Sequence, residues 1–257
     1  MAPHPSPLTP RPYMHLPVIR GLIDRRILVN YRVRPEALCR VLPEPFRPLL
    51  VGGMGMAGVC LIRLAHVRPR LMPGWLGLGS ENAAHRIAVE WDSDGERREG
   101  VYIPRRDTSS RLNRLIGGRF FPGFHHLAKF NVCECDGRYQ IALDSDDGLT
   151  HLALDAHVAD HLPSQSAFRS LDEASEFFHC GGLGYSATPS PGVFDGLELK
   201  SLNWSIEPLE IARVESSFFD DSTRFPRGSV EFDSALLMRR IEHEWHAREP
   251  IMACSAT

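Results

Sequence analysis

Lysine is nearly absent from this sequence. Lysine and arginine together make up 29 of the 257 residues, yet only Lys129 and Lys200 are lysines. Chemistry that needs a neutral amine, such as imine formation with a ketone, therefore has at most two candidate side chains. Lys129 lies near the end of the segment GGRFFPGFHHLAKF (117–130). The glycines and adjacent histidines of this segment predict either a plain turn into a strand or the mouth of a pocket.

Other features are missing as well. No run of about 18 apolar residues is present, which predicts no transmembrane helix. The start, MAPHPSPLTPRP, lacks the basic and apolar regions of a signal peptide, and its prolines predict a disordered or extended arm over residues 1–19. The formal net charge of −3 gives no electrostatic reason to bind nucleic acid or an anionic membrane. Together these absences predict a cytoplasmic protein without nucleic-acid or membrane partners.

The sequence also lacks cofactor signatures. It has no phosphate-binding glycine motif, no dinucleotide fingerprint and no G-x-S-x-G nucleophile turn. HEWH (243–246) does not fit a zinc motif, because its histidines are three apart on a predicted strand and not four apart on a helix. We expect no metal and no cofactor. The six scattered cysteines are predicted to be free thiols, mostly buried, in a reducing compartment.

What the sequence does contain is a series of short alternating stretches joined by turns. The stretch 25–33 predicts a half-buried strand with these residues on its inner face: Ile27, Val29, Tyr31 and Val33. Asp-Gly and Asp-Asp-Gly turns join three predicted strands between residues 128 and 158. SLDEASEFFHCGG (170–182) has a capping box and a double-glycine end, which predict a helix. We predict one mainly β (α+β) domain over residues 20–257, with two or three short helices and a large antiparallel sheet best closed into a barrel.

The order of several segments resembles an uncharacterised family. VRPEALCRVLPEPFRPLLVGG (33–53), SENAAHRIAVEW (80–91), GVYIPRRDTSSRL (100–112) and LDEASEFFHCGGLGYSAT (171–188) are similar to the YqjF-like bacterial proteins of the acetoacetate-decarboxylase-like superfamily. The resemblance covers residues 20 to 247 and rests on the order and spacing of the motifs. It implies an antiparallel sheet wrapped around a cone-like β-barrel with a central apolar cavity.

The resemblance also implies that this sequence lacks the reactive lysine of the decarboxylases. In the decarboxylases of the superfamily, a Gly-aromatic-Pro-Lys-Lys segment supplies the imine-forming lysine and a cationic neighbour. Here GFHHLA puts His125 at the proline, His126 at the reactive lysine and Leu127 at its neighbour. Histidine cannot form an imine, so the Schiff-base mechanism does not carry over at that position. Lys129 is three residues further on and is expected to face the other side of the strand.

The candidate site residues follow from the same comparison. Glu81 matches a glutamate that faces the cavity and is predicted to be an acid, with a structural ion pair to Arg86 or Arg105 as the alternative. His125 and His126 are predicted to be acid–base groups or anchors for a polar ligand, unless they only bond to a carbonyl or face water. The predicted ligand-binding residues are Arg86, Tyr102, Arg105 and Lys129.

Three functions are open on these grounds. The first is a cavity that binds a small organic acid or keto compound, or acts on it as a lyase by non-imine acid–base chemistry, with an arginine of the pair 105–106 clamping a carboxylate. The second is a non-catalytic metabolite-binding protein or a structural one, for which a homo-oligomer is open. The third is a Schiff-base decarboxylase that uses Lys129. Whether the protein is an enzyme is left open.

Overall fold

The computed structural model describes residues 17–73, 75, 77–116 and 122–253. The predicted arm up to residue 16 lies outside the described residues, as does the segment 117–121, and the first strand begins at Ile19. The described residues form thirteen strands and four short helices, so the predicted mainly β fold is confirmed. None of these four helices has the length and apolar character that crossing a bilayer requires.

All the strands of the described residues belong to one sheet. They are β1 (Ile19–Val33), β2 (Arg47–Pro48), β3 (Leu50–Val51), β4 (Met54–Pro69), β5 (Leu78–Ser93), β6 (Glu96–Thr108), β7 (His125–Cys135), β8 (Arg138–Ser145), β9 (His151–Val158), β10 (Leu183–Ala187), β11 (Val193–Ser201), β12 (Glu207–Ser216) and β13 (Val230–Met252). The helices are α1 (Pro35–Cys39), α2 (Arg111–Ile116), α3 (Leu171–Cys180) and α4 (Ser217–Asp220).

The pairings of this sheet return on themselves. From β1, each strand pairs with the next in the order β1–β4–β5–β6–β7–β8–β9–β12–β13, and β13 pairs again with β1. β10 and β11 form a second path from β6 to β13. The pairs are antiparallel except that β6 runs parallel to β7 and to β10, which it reaches through longer connections and not through tight hairpins. The central strands β1, β4 and β5 are therefore paired on both sides.

Both faces of β1 are buried, and they join two different apolar clusters. One face contributes the four residues that the alternation predicts to a large cluster: Ile27, Val29, Tyr31 and Val33. The other face contributes Leu28 to a smaller cluster that also contains Met56 of β4 and Phe178 of α3. Burying one such side chain stabilises the fold by roughly 1.5–3 kcal/mol, so a strand that is buried on both faces is a central element.

The predicted turns and the predicted late helix are confirmed. The Asp-Gly pairs at 94–95 and 136–137 have positive φ at both positions, the conformation of the hairpin turns that Asp-Gly favours. At the start of α3, the hydroxyl oxygen of Ser170 accepts a hydrogen bond from the backbone N–H of Glu173 at 3.1 Å. The carboxylate of Glu173 accepts one from the backbone N–H of Arg169 at 2.8 Å, so both ends of the cap are bonded.

Two elements differ from the prediction. The stretch RPEALCRVLPEPF (34–46), with its prolines, predicts a short helix, but α1 ends at Cys39 and the short strands β2 and β3 follow it. Prolines at 43 and 45 disfavour helical backbone in the residue ahead of each, so they end the helix early. The stretch LKSLNWSIEPLEIARVESSFF (199–219) predicts one or two strands, but its last three residues begin the single turn α4, which buries two adjacent phenylalanines.

Candidate functional site

A cavity of about 500 Å³ lies between the sheet and α3. Strands β1, β4, β5 and β6 supply much of its wall, and α3 with the glycine-rich segment after it supplies another part. Most of the lining is apolar, and five exposed lining residues mark where the cavity reaches the surface: Leu78, Gly79, Glu99, Glu176 and Cys180. Its volume is in the range of roughly 300–1000 Å³ that small-molecule sites have.

Strand register brings a cysteine and two arginines together in this cavity. Cys60 of β4 pairs with Leu28 of β1 and with Ala84 of β5. Arg26 and Arg86 each lie two positions from one of those partners, so all three side chains point to the same face. We call the site the arginine cavity, defined by Arg26, Cys60, Arg86 and Arg106.

Arg86 crosses β4 to reach its partners. Its Nε donates a hydrogen bond to Sγ of Cys60 at 3.1 Å, and its Nη2 donates one to Oδ1 of Asn30. Gly58 lies between Arg86 and Asn30 in the pairing of β1, β4 and β5, and its missing side chain leaves room for this crossing. The ring of Phe178 lies 4.9 Å from Cζ of Arg86 and covers the guanidinium from the α3 side.

The three arginines of the cavity have few hydrogen-bond acceptors for their N–H groups. Arg26 contacts the Cys60 sulfur with Nη2 at 3.7 Å, and its Nε makes no hydrogen bond among the described residues. Arg106 donates from Nη2 to Oγ of Ser186 at 3.3 Å, while its buried Nε also has no partner in the described chain. No ion pair of the described residues includes any of the three. Arg26 is 9% exposed and Arg86 is 4% exposed, so the cavity holds buried positive charge without a carboxylate partner.

Burial and charge set the ionisation of these groups. Burial acts to raise the pKa of the Cys60 thiol, but the charges of Arg86 and Arg26 outweigh it and lower that pKa below its ordinary value. Burial lowers the pKa of Arg86, and it lowers the pKa of Arg106 to about 10. Arg106 is therefore still a cation at neutral pH, and the cavity favours the thiolate form of the cysteine.

Asp107 and His125 line the same cavity where β6 meets β7. Arg105 holds the carboxylate of Asp107 with Nε at 3.0 Å and Nη2 at 2.7 Å. Burial nonetheless raises the pKa of Asp107 above its ordinary value. The parallel pairing sets His125 opposite Arg106, and burial together with that charge lowers the pKa of His125 to about 4, so its ring is neutral at pH 7.

Arg105 and His126 are brought together, but beside the cavity and outside its lining. Asp147 lies 3.0 Å from Nη2 of Arg105 and 2.9 Å from Nδ1 of His126. Neighbouring residues of a strand alternate between its faces, so of the predicted histidine pair only His125 lines the cavity.

Glu81 lies in a network of four charged side chains. Its carboxylate accepts a hydrogen bond from Arg25 at 2.6 Å and another from Arg63 at 2.6 Å. Glu134 contacts the same two arginines, at 2.5 Å and 2.9 Å. Arg25 is only 2% exposed, so the network satisfies a buried cation. The structure thus contains an ion pair at Glu81, with these arginines instead of the two predicted ones.

The alternation along β5 explains this placement. Ala84 and Arg86 line the cavity, whereas Glu81 and His85 do not. His85 is buried on the other side of the strand, its ring stacked on Phe218 with 4.3 Å between the centroids. Burial, with a smaller effect of nearby arginines, lowers the pKa of His85 to about 3. The predicted residues Glu81 and Arg86 therefore lie in different surroundings.

Two further predicted ligand contacts lie outside the cavity lining. Tyr102 is buried in the large cluster, with its ring centroid 5.5 Å from that of Phe46, and burial raises its pKa. Lys129 is exposed on β7. Lys200 is two residues from Glu198, which predicts an exposed ion pair, and the distance of 3.8 Å between the two side chains confirms it. Neither of the two lysines lines the arginine cavity.

Three cavity residues are not singled out by the sequence analysis: Arg26, Cys60 and Asp107. A signal for the first is available, because Arg25 and Arg26 are followed in the same strand by three apolar residues (27–29) that alternate between both faces. Two adjacent charges on such a strand point into opposite interiors, and each needs a partner or a ligand there. No comparable local signal marks Cys60, whose surroundings depend on pairing with β1 and β5.

Solved structures with the same overall fold are acetoacetate decarboxylases and related enzymes. The acetoacetate decarboxylase of Legionella pneumophila has a TM-score of 0.59 at 15% identity, covering 97% of this chain and 92% of that one. The enduracididine biosynthesis enzyme MppR, complexed with pyruvate, has a TM-score of 0.55 at 13% identity over 96% and 92%. An acetoacetate decarboxylase-like enzyme from Sphingomonas wittichii has a TM-score of 0.55 at 14% identity over 98% of each chain. At such identities the likeness defines the fold class, which is acetoacetate-decarboxylase-like.

Within that class, the chain belongs to the DUF2071 family. The family model, described as an uncharacterized conserved protein, matches residues 23–178, which is more than half of the chain. This is the YqjF-like family that the sequence motifs resemble, so that prediction is confirmed. No curated protein matches the chain.

Proposed function

We propose that the arginine cavity binds a small organic acid and that keto acids are the preferred class. The observation that carries the proposal is the convergence of Arg26, Arg86 and Arg106 on one cavity without a carboxylate partner among the described residues. A ligand carboxylate would accept hydrogen bonds from the guanidinium groups. Hydrogen bonds to charged groups contribute roughly 1.5–3 kcal/mol each, and the ligand would also compensate buried charge.

The rest of the lining favours a ligand with a short apolar body. Aliphatic side chains of β1, β4 and β5 face Phe177 and Phe178 of α3 across the cavity. Burying apolar ligand surface there contributes about 25 cal/mol per Å². An acid with a few carbon atoms beyond its carboxylate matches both parts of the wall, whereas a polyanion would leave charge against apolar surface.

The closed order of strand pairings supports the finer prediction of a cone-like barrel around a central cavity. The relatives support the ligand class, since MppR is complexed with pyruvate, a 2-oxo acid, and the Legionella protein is an acetoacetate decarboxylase. Those are properties of the relatives. Carrying a keto acid over to this chain is part of the proposal and rests on the arginines.

Any reaction in the cavity is proposed to use acid–base chemistry without an imine. Support comes from the two lysines, neither of which lines the cavity. His125, whose ring is neutral at pH 7, is the acid–base group on the Arg106 side of the wall, whereas the carboxylate of Asp107, whose pKa is raised by burial, is held by Arg105 on the other face of β6. Glu81 and His126, proposed from the sequence, would need a ligand that extends beyond the cavity.

Ligand-induced stabilisation tests the binding proposal, because a ligand of the native state raises the melting temperature. Acetoacetate, pyruvate and 2-oxobutanoate are expected to raise it, and pyruvamide, which lacks the charge, is not. Arg106→Gln is expected to weaken pyruvate binding roughly 10- to 100-fold, from the loss of one charge-assisted hydrogen bond. Arg169→Gln removes an exposed arginine outside the cavity and should leave the affinity unchanged. Equal stabilisation by pyruvate and pyruvamide would contradict the proposal.

A further inference from the structure

Cys60 differs from the other cysteines that the structure describes. It is 3% exposed and lines the arginine cavity, whereas the other four described cysteines are exposed: Cys39, Cys133, Cys135 and Cys180. A buried cysteine in apolar surroundings is ordinarily inert, because its pKa is raised and the thiolate is the reactive form. The surroundings of Cys60 are different, because two guanidinium groups contact its sulfur.

The charged groups that face Cys60 come from three neighbouring strands. Arg86 of β5 donates to the sulfur at 3.1 Å, and Arg26 of β1 contacts it at 3.7 Å. Arg106 of β6 is close enough for the thiolate charge to raise its pKa. On the α3 side the facing residue is Phe178, which carries no charge. Both charged groups that contact the sulfur are thus cations and favour the thiolate, while Glu99, Asp107 and Glu176 also line the cavity.

A second observation points to a ligand beside this sulfur. Arg26 is nine-tenths buried and lines the cavity, yet its Nε makes no hydrogen bond among the described residues. A buried guanidinium N–H without an acceptor costs free energy, which a bound anion or carbonyl oxygen would recover. The cavity therefore offers a sulfur nucleophile, an unused donor next to it and space for a small molecule.

We propose that Cys60 is a nucleophilic thiolate that adds reversibly to the carbonyl carbon of a 2-oxo acid held in the arginine cavity. This rests on the proposed function, which it deepens by naming the ligand class and the group that attacks it. The carboxylate of the 2-oxo acid is held by Arg106, and the ketone oxygen is directed towards Arg26 and Arg86.

The addition balances without any further reactant. A lone pair of the Cys60 thiolate forms the S–C bond, the π bond of the ketone breaks, and its electron pair moves to the ketone oxygen. The negative charge passes from sulfur to that oxygen, where Arg26 and Arg86 stabilise the alkoxide with the guanidinium groups that stabilised the thiolate. The product is a hemithioketal, and the reverse step regenerates the thiolate and the free acid.

Alkylation kinetics test the nucleophile. Native protein is treated with iodoacetate between pH 6 and pH 8, and each cysteine is followed by peptide mass spectrometry. An ordinary thiol loses nearly 100-fold in rate over this range, and the exposed Cys133 serves as the internal reference. Cys60 is expected to lose less of its rate than Cys133 does, and to prefer iodoacetate over neutral iodoacetamide relative to Cys133. The measurement is repeated with Cys180→Ser, because Cys180 lies at the cavity surface. A Cys60 rate that falls in parallel with that of Cys133 overturns the proposal.

Carbon NMR with pyruvate labelled at its ketone carbon tests the adduct. Pyruvate at a concentration that saturates the thermal stabilisation is expected to give a protein-bound resonance in the region of tetrahedral carbon. Cys60→Ser should lose this resonance, whereas Arg169→Gln, which lies outside the cavity, should keep it. Lactate, which has no ketone, should stabilise the protein without reacting. A saturated complex that shows only ketone carbon overturns the proposal.

The binding function and the nucleophilic role of Cys60 are refuted by different results. Stabilisation by acids together with ordinary Cys60 kinetics, or without tetrahedral carbon, overturns the nucleophile and leaves the binding function standing. No stabilisation by any of the acids overturns the binding function, and the adduct with it, whatever the alkylation rate of Cys60 is.

Discussion

Replacing His85 by phenylalanine should make the stability of the protein less sensitive to acid. His85 is fully buried, its ring stacks on Phe218, and neither ring nitrogen has a hydrogen-bond partner among the described residues. The charged groups near it are Arg105 and Arg224, which stay cationic at acid pH. Phenylalanine keeps the flat shape and the stacking and removes only the titrating group.

The direction and the size of this pH effect on stability follow from the pKa of His85. Burial lowers it from 6.5 to about 3, so the unfolded chain binds a proton that the folded chain does not. Stability is therefore fully present above pH 6.5 and is lost as the pH falls towards about 3. At pH 5 the loss from this ring is about 2 kcal/mol, from roughly 1.4 kcal/mol per pH unit below 6.5. His243, fully buried with its pKa lowered to about 4, adds a similar loss.

Urea unfolding followed by circular dichroism at pH 5, 6, 7 and 8 measures this directly. Between pH 8 and pH 5, the His85→Phe variant should lose about 2 kcal/mol less than the native sequence. Changes in packing cancel in this comparison, since they are the same at every pH. His161→Phe, at an exposed histidine, is the matched control and should follow the native sequence. Parallel losses for native protein and His85→Phe would refute the assignment of a neutral, buried ring.

Three further predictions concern the framework of the site, and urea unfolding at pH 7.5 measures each. Glu81→Gln should destabilise the fold by roughly 3 kcal/mol, because Arg25 loses a counter-charge in the interior, while pyruvate affinity stays unchanged; a selective loss of affinity would restore Glu81 as a ligand-site residue. Gly58→Ala should cost roughly 1–3 kcal/mol or more, since a methyl group there overlaps the carbonyl oxygen of Val29, whereas tolerance of alanine would show that β1 and β4 can separate locally. Ser170→Ala should cost about 1 kcal/mol through loss of the α3 cap, and Ser164→Ala, at an exposed serine in the loop before it, should cost little.

The parts of the fold that follow from the sequence are those that neighbouring residues decide. The alternation in 25–33 assigns one face of β1 to the large cluster, and the Asp-Gly pairs specify their turns through positive φ. Ser170 and Glu173 mark the start of α3 by satisfying N–H groups within four residues. Each of these signals is local, so no knowledge of strand pairing is needed to use it.

The parts of the site that escape the sequence depend on register between distant strands. Cys60 becomes unusual only because Arg26, 34 residues earlier, and Arg86, 26 residues later, fall two positions from its pairing partners. A shift of one residue in either pairing would send those arginines to the other face. The family comparison also directs attention to the histidines of β7, yet only His125 lines the cavity.

The adjacent arginines in the middle of β1 belong to two different interiors. Arg25 is one of the two cations of the ion-pair network on one face, and Arg26 is a donor of the arginine cavity on the other. Moving β1 by one residue so that Arg25 takes the place of Arg26 would put Asp24 in the network and leave the carboxylates of Glu81 and Glu134 one cation short. The ion-pair network thus helps to fix the register of β1, and with it the position of Arg26 in the cavity. Redesign of the cavity is best attempted on β6, which contributes Arg106 to the cavity and no residue to the network.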